Sequence, residues 1–135
     1  MATGFPRVFD SWLIMALFDD EPAAGIVRSL IADARASHTE MWITTVNLGE
    51  IWYSLARRHS FSEADQSIKE VHDLGFAVED IDWDFTRRAA QFKAKYPISY
   101  ADCFAAALAK QRHAELVTGD PEFRRLEKEI RIYWL

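Results

Sequence analysis

Residues 96–123, YPISYADCFAAALAKQRHAELVTGDPEF, constrain the fold more than any other stretch. FAAALA gives a helix a face of small side chains, so that helix can lie close against a sheet. ELVT is an apolar run too short for a helix and ends at Gly119, so it reads as a buried strand. Asp102 falls in the first turn of the helix that begins near Ser99, and Asp120 falls where the strand gives way to a helix opened by Pro121. Acids in those two kinds of place gather charge along the carboxyl edge of a parallel α/β sheet. The rest of the chain is then asked whether it brings more acids to that edge.

Arg7-Val8-Phe9-Asp10 reads as a strand ending at Asp10, followed at once by a helix through SWLIMALF. Pro22 opens a second helix with Ile26, Leu30 and Ile31 inward and Arg28, Asp33 and Arg35 outward. Met41-Trp42-Ile43-Thr44 is a second strand. A helix from Thr45 or Asn47 carries the stripe Leu48, Ile51, Trp52 and Leu55 and places Glu50 in its first turn. Another runs from Ser62 to about His72, where Gly75 stops it. Phe76-Ala77-Val78 begins a third strand, and residues 83–95 form a helix with Phe85, Ala89 and Phe92 inward. The last strand covers residues 130–134. Strands alternating with helices over the whole length predict one α/β domain over residues 1–135, with a parallel sheet of four to five strands covered by helices on both faces in three layers.

The chain has 135 residues, half of them apolar, and a net charge of −5 from 21 acids and 16 bases. That balance excludes a protein that holds nucleic acid by bulk positive charge. Cys103, the single cysteine, forms no internal disulfide and reads as a small core residue. The longest apolar run, residues 12–18, is far short of a membrane span of ~20 residues, and MATGFPRVFD lacks a signal-peptide pattern. A soluble protein of the cytoplasm is expected.

Each acid has a structural account. Asp10 and Asp120 fit helix N-caps, and Asp102 and Glu50, three residues after Ser99 and Asn47, fit capping-box acids. Glu122 reads as a first-turn helix acid. Together the acids are harder to explain, because three or four carboxylates on one sheet edge repel one another and helix dipoles alone hold them poorly. A divalent cation resolves the repulsion. Oxygen ligands without a matching Cys or His set indicate Mg²⁺, with Mn²⁺ as a substitute; His38, His59, His72 and His113 show no metal-ligand spacing.

With RVFDS, TTVNLGEIWY, SYADCFAAALA and LVTGDPEF in this order and spacing, the sequence resembles the PIN-domain ribonucleases, and among them the VapC-type toxins of toxin–antitoxin pairs. The resemblance covers essentially the whole chain and implies a three-layer PIN-like, Rossmann-like fold. It implies a metal-dependent endoribonuclease whose catalytic and metal-binding acids correspond to Asp10, Glu50, Asp102 and Asp120, with Asp10 and Asp102 as principal ligands and Ser11 and Thr118 in support. Trp12 departs from the family pattern, standing where a small or polar residue is common. Hydrolysis by an activated water needs no 2′-hydroxyl, so 5′-phosphate and 3′-hydroxyl ends are expected.

The same resemblance implies an RNA substrate, a small VapB-type antitoxin protein that covers the acidic site, and a homodimer formed through the helices of residues 47–72, where Leu48, Ile51, Trp52, Leu55 and Phe61 serve equally well as internal core. Arg57, Arg58, Lys93, Lys95, Arg124 and Arg125 are candidate RNA contacts, although basic residues at helix ends also serve the backbone dipole. Trp12 and Trp52 are candidates for base stacking or partner contact. Two rivals remain. A PIN-like binding module without catalysis would keep the fold and lose the chemistry. A receiver-like signalling domain wants an acidic pair after the first strand and a lysine at the last, whereas this chain has Asp10-Ser11 and IRIYWL.

Overall fold

The computed structural model describes residues 4–135, so the first three residues of the expected domain lie outside the described residues. Five short strands, β1 (Arg7–Phe9), β2 (Met41–Thr44), β3 (Ala77–Glu79), β4 (Glu115–Thr118) and β5 (Arg131–Trp134), form one sheet in the order β3-β2-β1-β4-β5. Every pairing is parallel. Alternate residues of the strands serve opposite faces, as the pleat requires. Val8 and Leu116 enter one core while Phe9 and Val117 enter the other.

Helices fill both faces. On one side lie α1 (Ser11–Phe18), α2 (Ala24–Ala36), α3 (Thr45–Arg58) and α4 (Phe61–Asp73); on the other lie α5 (Trp83–Lys95), α6 (Tyr100–Gln111) and a 3-10 helix (Pro121–Leu126). The FAAALA face does what its small side chains allow. Residues 103–109 of α6 are all buried, between the sheet, α3 and α5. Among the described residues no helix is long and apolar enough to cross a membrane.

Several local expectations need correction. Pro22 does not open α2; the helix begins at Ala24, and its inward face carries Val27, Leu30 and Ile31, while Ile26 is exposed. The segment after Asp120 is a 3-10 helix, not an α-helix. Thr44, not Asn47, caps α3, so Glu50 lies in the second turn and is no capping-box acid. Helix α4 starts at Phe61 with Ser60 as its cap.

The strand order places the site. From β1 the chain builds outward through β2 to β3, then returns past β1 to add β4 and β5. Between β1 and β4 the order reverses, and the carboxyl ends of strands at such a switch point leave a crevice. Asp10 follows β1 and Asp120 follows β4.

Candidate active site

Asp10 is 1% exposed and fully engaged by the protein. It caps α1, its Oδ1 accepting from the Leu13 N–H at 3.0 Å, and its Oδ2 accepts from the Thr118 hydroxyl at 2.6 Å. The Thr118 hydroxyl in turn accepts from the Asp120 N–H at 3.0 Å, so one side chain locks the exit of β4 to the exit of β1. Burial lifts the Asp10 pKa to about 7; the Thr118 and Leu13 hydrogen bonds pull against it, and the charges of Asp102 and Asp120 add to it.

Glu50 arrives from α3. Its Oε1 accepts from the Ser11 hydroxyl at 2.7 Å and from Asn47 Nδ2 at 3.4 Å. Asn47 is wholly buried, and its amide also donates to the Ala101 carbonyl at 3.3 Å, beside Asp102, while its Oδ1 accepts from Thr44. The sequence alone marks Asn47 only as a possible helix start. Thr44, a hydroxyl at the end of an apolar strand, was the signal that the cap lay three residues earlier.

Asp102 sits in the first turn of α6, its N–H donating to the Ser99 hydroxyl. Burial lifts its pKa to about 6 against a hydrogen bond with Ser99, and Asp120, Glu50 and Glu122 push the same way as burial. Asp120 caps the 3-10 helix by accepting from the Glu122 N–H. Asp102, Asp120 and Glu122 each offer a carboxylate oxygen, all within 4.8 Å of one another. Asp10 and Glu50 stand outside that trio but close enough to raise the Asp102 and Asp10 electrostatic cost. The four expected acids therefore share one edge, and Glu122, read as a simple helix acid, joins them.

None of these five carboxylates is paired with a base among the described residues. The ion pairs fall instead on Asp19, Asp20, Glu63, Glu79, Asp84 and Glu129. Five acids from four segments, two of them lifted toward neutrality, make a group that could hold a metal ion. The donors are all oxygens, the ligand type that suits Mg²⁺ or Mn²⁺, and three of them are clustered. The donor set fits such an ion. Concavities lie elsewhere, one of about 520 Å³ between Leu17, Ile31 and Leu74 and one of about 350 Å³ beside Arg88, Phe92 and Lys110.

Of the candidate RNA contacts, Arg58 bonds Asp19, Arg57 covers the Tyr53 ring, Lys93 bonds the Ile98 carbonyl and Lys95 meets Glu129. Arg124 and Arg125 are exposed on the 3-10 helix that also carries Glu122. Trp52 turns to α4, its indole bonding Asp65 and its ring against Phe61.

Residues 7–129 match the family model described as PIN domain. No curated protein matches the chain. Among solved structures, the DNA-bound VapBC of Salmonella typhimurium is 19% identical, with 96% of this chain and 98% of that one covered at a TM-score of 0.75. VapBC2 of Rickettsia felis, bound to a DNA fragment from its promoter, is 15% identical with the same coverage at 0.73. The Mycobacterium tuberculosis toxin VapC20, described as cleaving the sarcin-ricin loop, is 17% identical over 88% of this chain and 93% of that one at 0.70. At these identities the likeness establishes the fold.

Proposed function

The chain belongs to the PIN domain family, and from that membership we propose that it is a Mg²⁺-dependent endoribonuclease, with Mn²⁺ able to replace Mg²⁺, and the toxin of a type II toxin–antitoxin pair. The observation that carries the reading is the gathering of Asp10, Glu50, Asp102, Asp120 and Glu122 at the switch-point edge with no base among them. Membership in this family sets aside the receiver-like alternative.

Asp10, Asp102 and Asp120 would hold the ion directly and Glu50 through the attacking water, with Glu122 added to that set. Bound there, Mg²⁺ supplies charge that offsets the developing negative charge on the phosphate and acidifies a water. The chain's own groups supply position and proton transfer. Thr118 and the Leu13 N–H keep Asp10 in one orientation. Both hydrogen bonds to Glu50 fall on Oε1, so Oε2 remains to take the proton of the attacking water. As the water oxygen bonds phosphorus, the bond from phosphorus to the 3′-oxygen breaks and that oxygen takes up a proton from solvent water. The products carry 5′-phosphate and 3′-hydroxyl ends. Arg124 and Arg125, beside the acids and exposed, suit the flanking phosphates.

The VapBC complexes among the structural neighbours support a small VapB-type antitoxin as partner. A homodimer through residues 47–72 would use Tyr53 and Phe61, 45% and 70% exposed, because Leu48, Ile51 and Leu55 belong to the core. A cytoplasmic location accords with both partners. Mapping the RNA ends produced in Mg²⁺ by the wild type and by Asp10→Asn tests the reading. Cyclic phosphate ends, or equal cleavage by the variant, would overturn it.

A further inference from the structure

Trp12 has no part in the chemistry above, yet it lies against Gly119, the residue before Asp120. It is the second residue of α1, two positions after Asp10, and is 44% exposed, whereas the next two residues, Leu13 and Ile14, are wholly buried. Its six-membered ring lies against Gly119: a Cβ added there would meet Cζ3 at 3.0 Å and Cη2 at 3.1 Å. Gly119 stands between Thr118, which donates to Asp10, and Asp120. The indole is therefore seated on the main chain between Thr118, which holds Asp10, and Asp120, and much of its surface remains open to solvent.

We propose that Trp12 is a stacking platform for one unpaired base of single-stranded RNA, holding the nucleotide next to the phosphate that the acids act on. The proposal rests on the nuclease reading and adds how that site grips its substrate. Charge favours this mode. The chain has a net charge of −5 and five carboxylates at this edge, so beyond the proposed ion and Arg124 and Arg125 it offers phosphates little attraction where the substrate must come closest. Stacking supplies affinity without positive charge, works for any base because every base has a π face, and needs an aromatic ring held still. Contact with the Gly119 backbone holds it.

The test uses the full chain in the Asp10→Asn background, which the nuclease reading expects to bind RNA without cutting it. Fluorescence anisotropy follows a labelled ten-residue oligoadenylate in Mg²⁺. Adding Trp12→Ala should weaken binding by roughly 5- to 150-fold, the span of one base–aromatic stack, while Trp12→Phe should retain most of the affinity. Replacing adenines one at a time by abasic residues should find a position whose loss costs the ring-bearing protein the same factor and costs the Trp12→Ala protein nothing more. Thermal unfolding of each variant confirms folding, and Trp12→Phe with the abasic series carries the test if the alanine variant fails to fold. Equal binding without the ring, abasic losses that persist without it, or no binding of the oligomer at all would overturn the proposal. So would intact oligomer binding with loss of a co-purifying protein, which would make the ring a protein contact. Cleavage by Asp10→Asn would count against the nuclease reading alone.

Discussion

Glu129 and Asp10 are both carboxylates drawn out of solvent, and the protein surrounds them differently. Glu129 accepts from the Tyr96 hydroxyl and meets Lys110 at 3.2 Å and Lys95 at 3.5 Å. The Tyr96 hydrogen bond first, then the lysines, hold its carboxyl below the usual range in spite of burial. Asp10 is buried further, has two hydrogen-bond donors and no base, and faces other acids; burial carries it to about 7. At the Glu129 corner the chain supplies its own counter-charge. At the carboxyl edge it supplies orientation and no counter-charge, the difference expected between a structural acid and one that serves the proposed cation site.

Neutralising each acid should therefore act in opposite senses. Asp10→Asn should lower RNA cleavage by more than the roughly 10- to 100-fold that loss of an outer ligand partner costs, and in chelator at pH 8 it should unfold at a temperature no lower than the wild type. Glu129→Gln should leave cleavage within about two-fold and lose up to about 1 kcal/mol of stability, since it gives up only partly exposed ion pairs. Cleavage rates and thermal scans of the two proteins decide it; stability changes of the same sign would erase the contrast.

The contrast also has a pH signature. Asp10 and Asp102 titrate at about 7 and about 6 in the folded chain against 3.8 for the free side chain, so the folded state binds more protons between those limits. Their contribution to stability is whole below about pH 4 and is lost as pH rises through about 6 to 7, on the order of 4 kcal/mol for Asp10. In chelator the protein should lose stability from pH 5 to pH 8. Mg²⁺ should raise the unfolding temperature more at pH 8 than at pH 5, because only the ionised carboxylates bind it. A Mg²⁺ effect independent of pH would mean that the ion sits elsewhere.

The sheet was legible because strands buried on both faces read as unbroken apolar runs, and β2 and β4 stand where MWIT and ELVT stand in the text. The phase of α2 differs from the expected one. Ile26 drew the eye, but counting Ala24 and Ala34 as apolar gives the true stripe with Val27 and Ile31. At the site, Asp10 and Asp120 could be placed because strand ends in a parallel sheet share one edge. Asn47 could not, since the carbonyl that it holds belongs to Ala101, 54 positions away. Glu122 depended on a 3-10 turn, where the sequence suggested an ordinary helix, and the tighter winding sets which way a side chain points.

If orientation is the protein's share of the work, Thr118 should matter without carrying charge. Thr118→Val removes the donor to Asp10 Oδ2 and the acceptor for the Asp120 N–H, both in a buried setting. A loss of about 1–3 kcal/mol is expected, together with a 10- to 100-fold fall in cleavage, as for an outer partner of a ligand. Denaturant unfolding and initial rates measure the two. Unchanged cleavage would mean that Asp10 is held well enough by the Leu13 N–H alone.

The mildest change sharpens the contrast from the other side by leaving every carboxylate in place. Gly119→Ala adds a Cβ 3.0 Å from the Trp12 ring, a contact relieved by a few tenths of an ångström. Because the ring is partly exposed it can tilt, so stability should fall by less than about 1 kcal/mol, within the span of ordinary overpacking or below it. Mg²⁺ affinity, set by the acids, should not change, whereas oligoadenylate binding should weaken as the platform turns. Calorimetry of the metal and anisotropy of the RNA separate the two. Parallel losses in both would show that Gly119 positions Asp120 and not the ring.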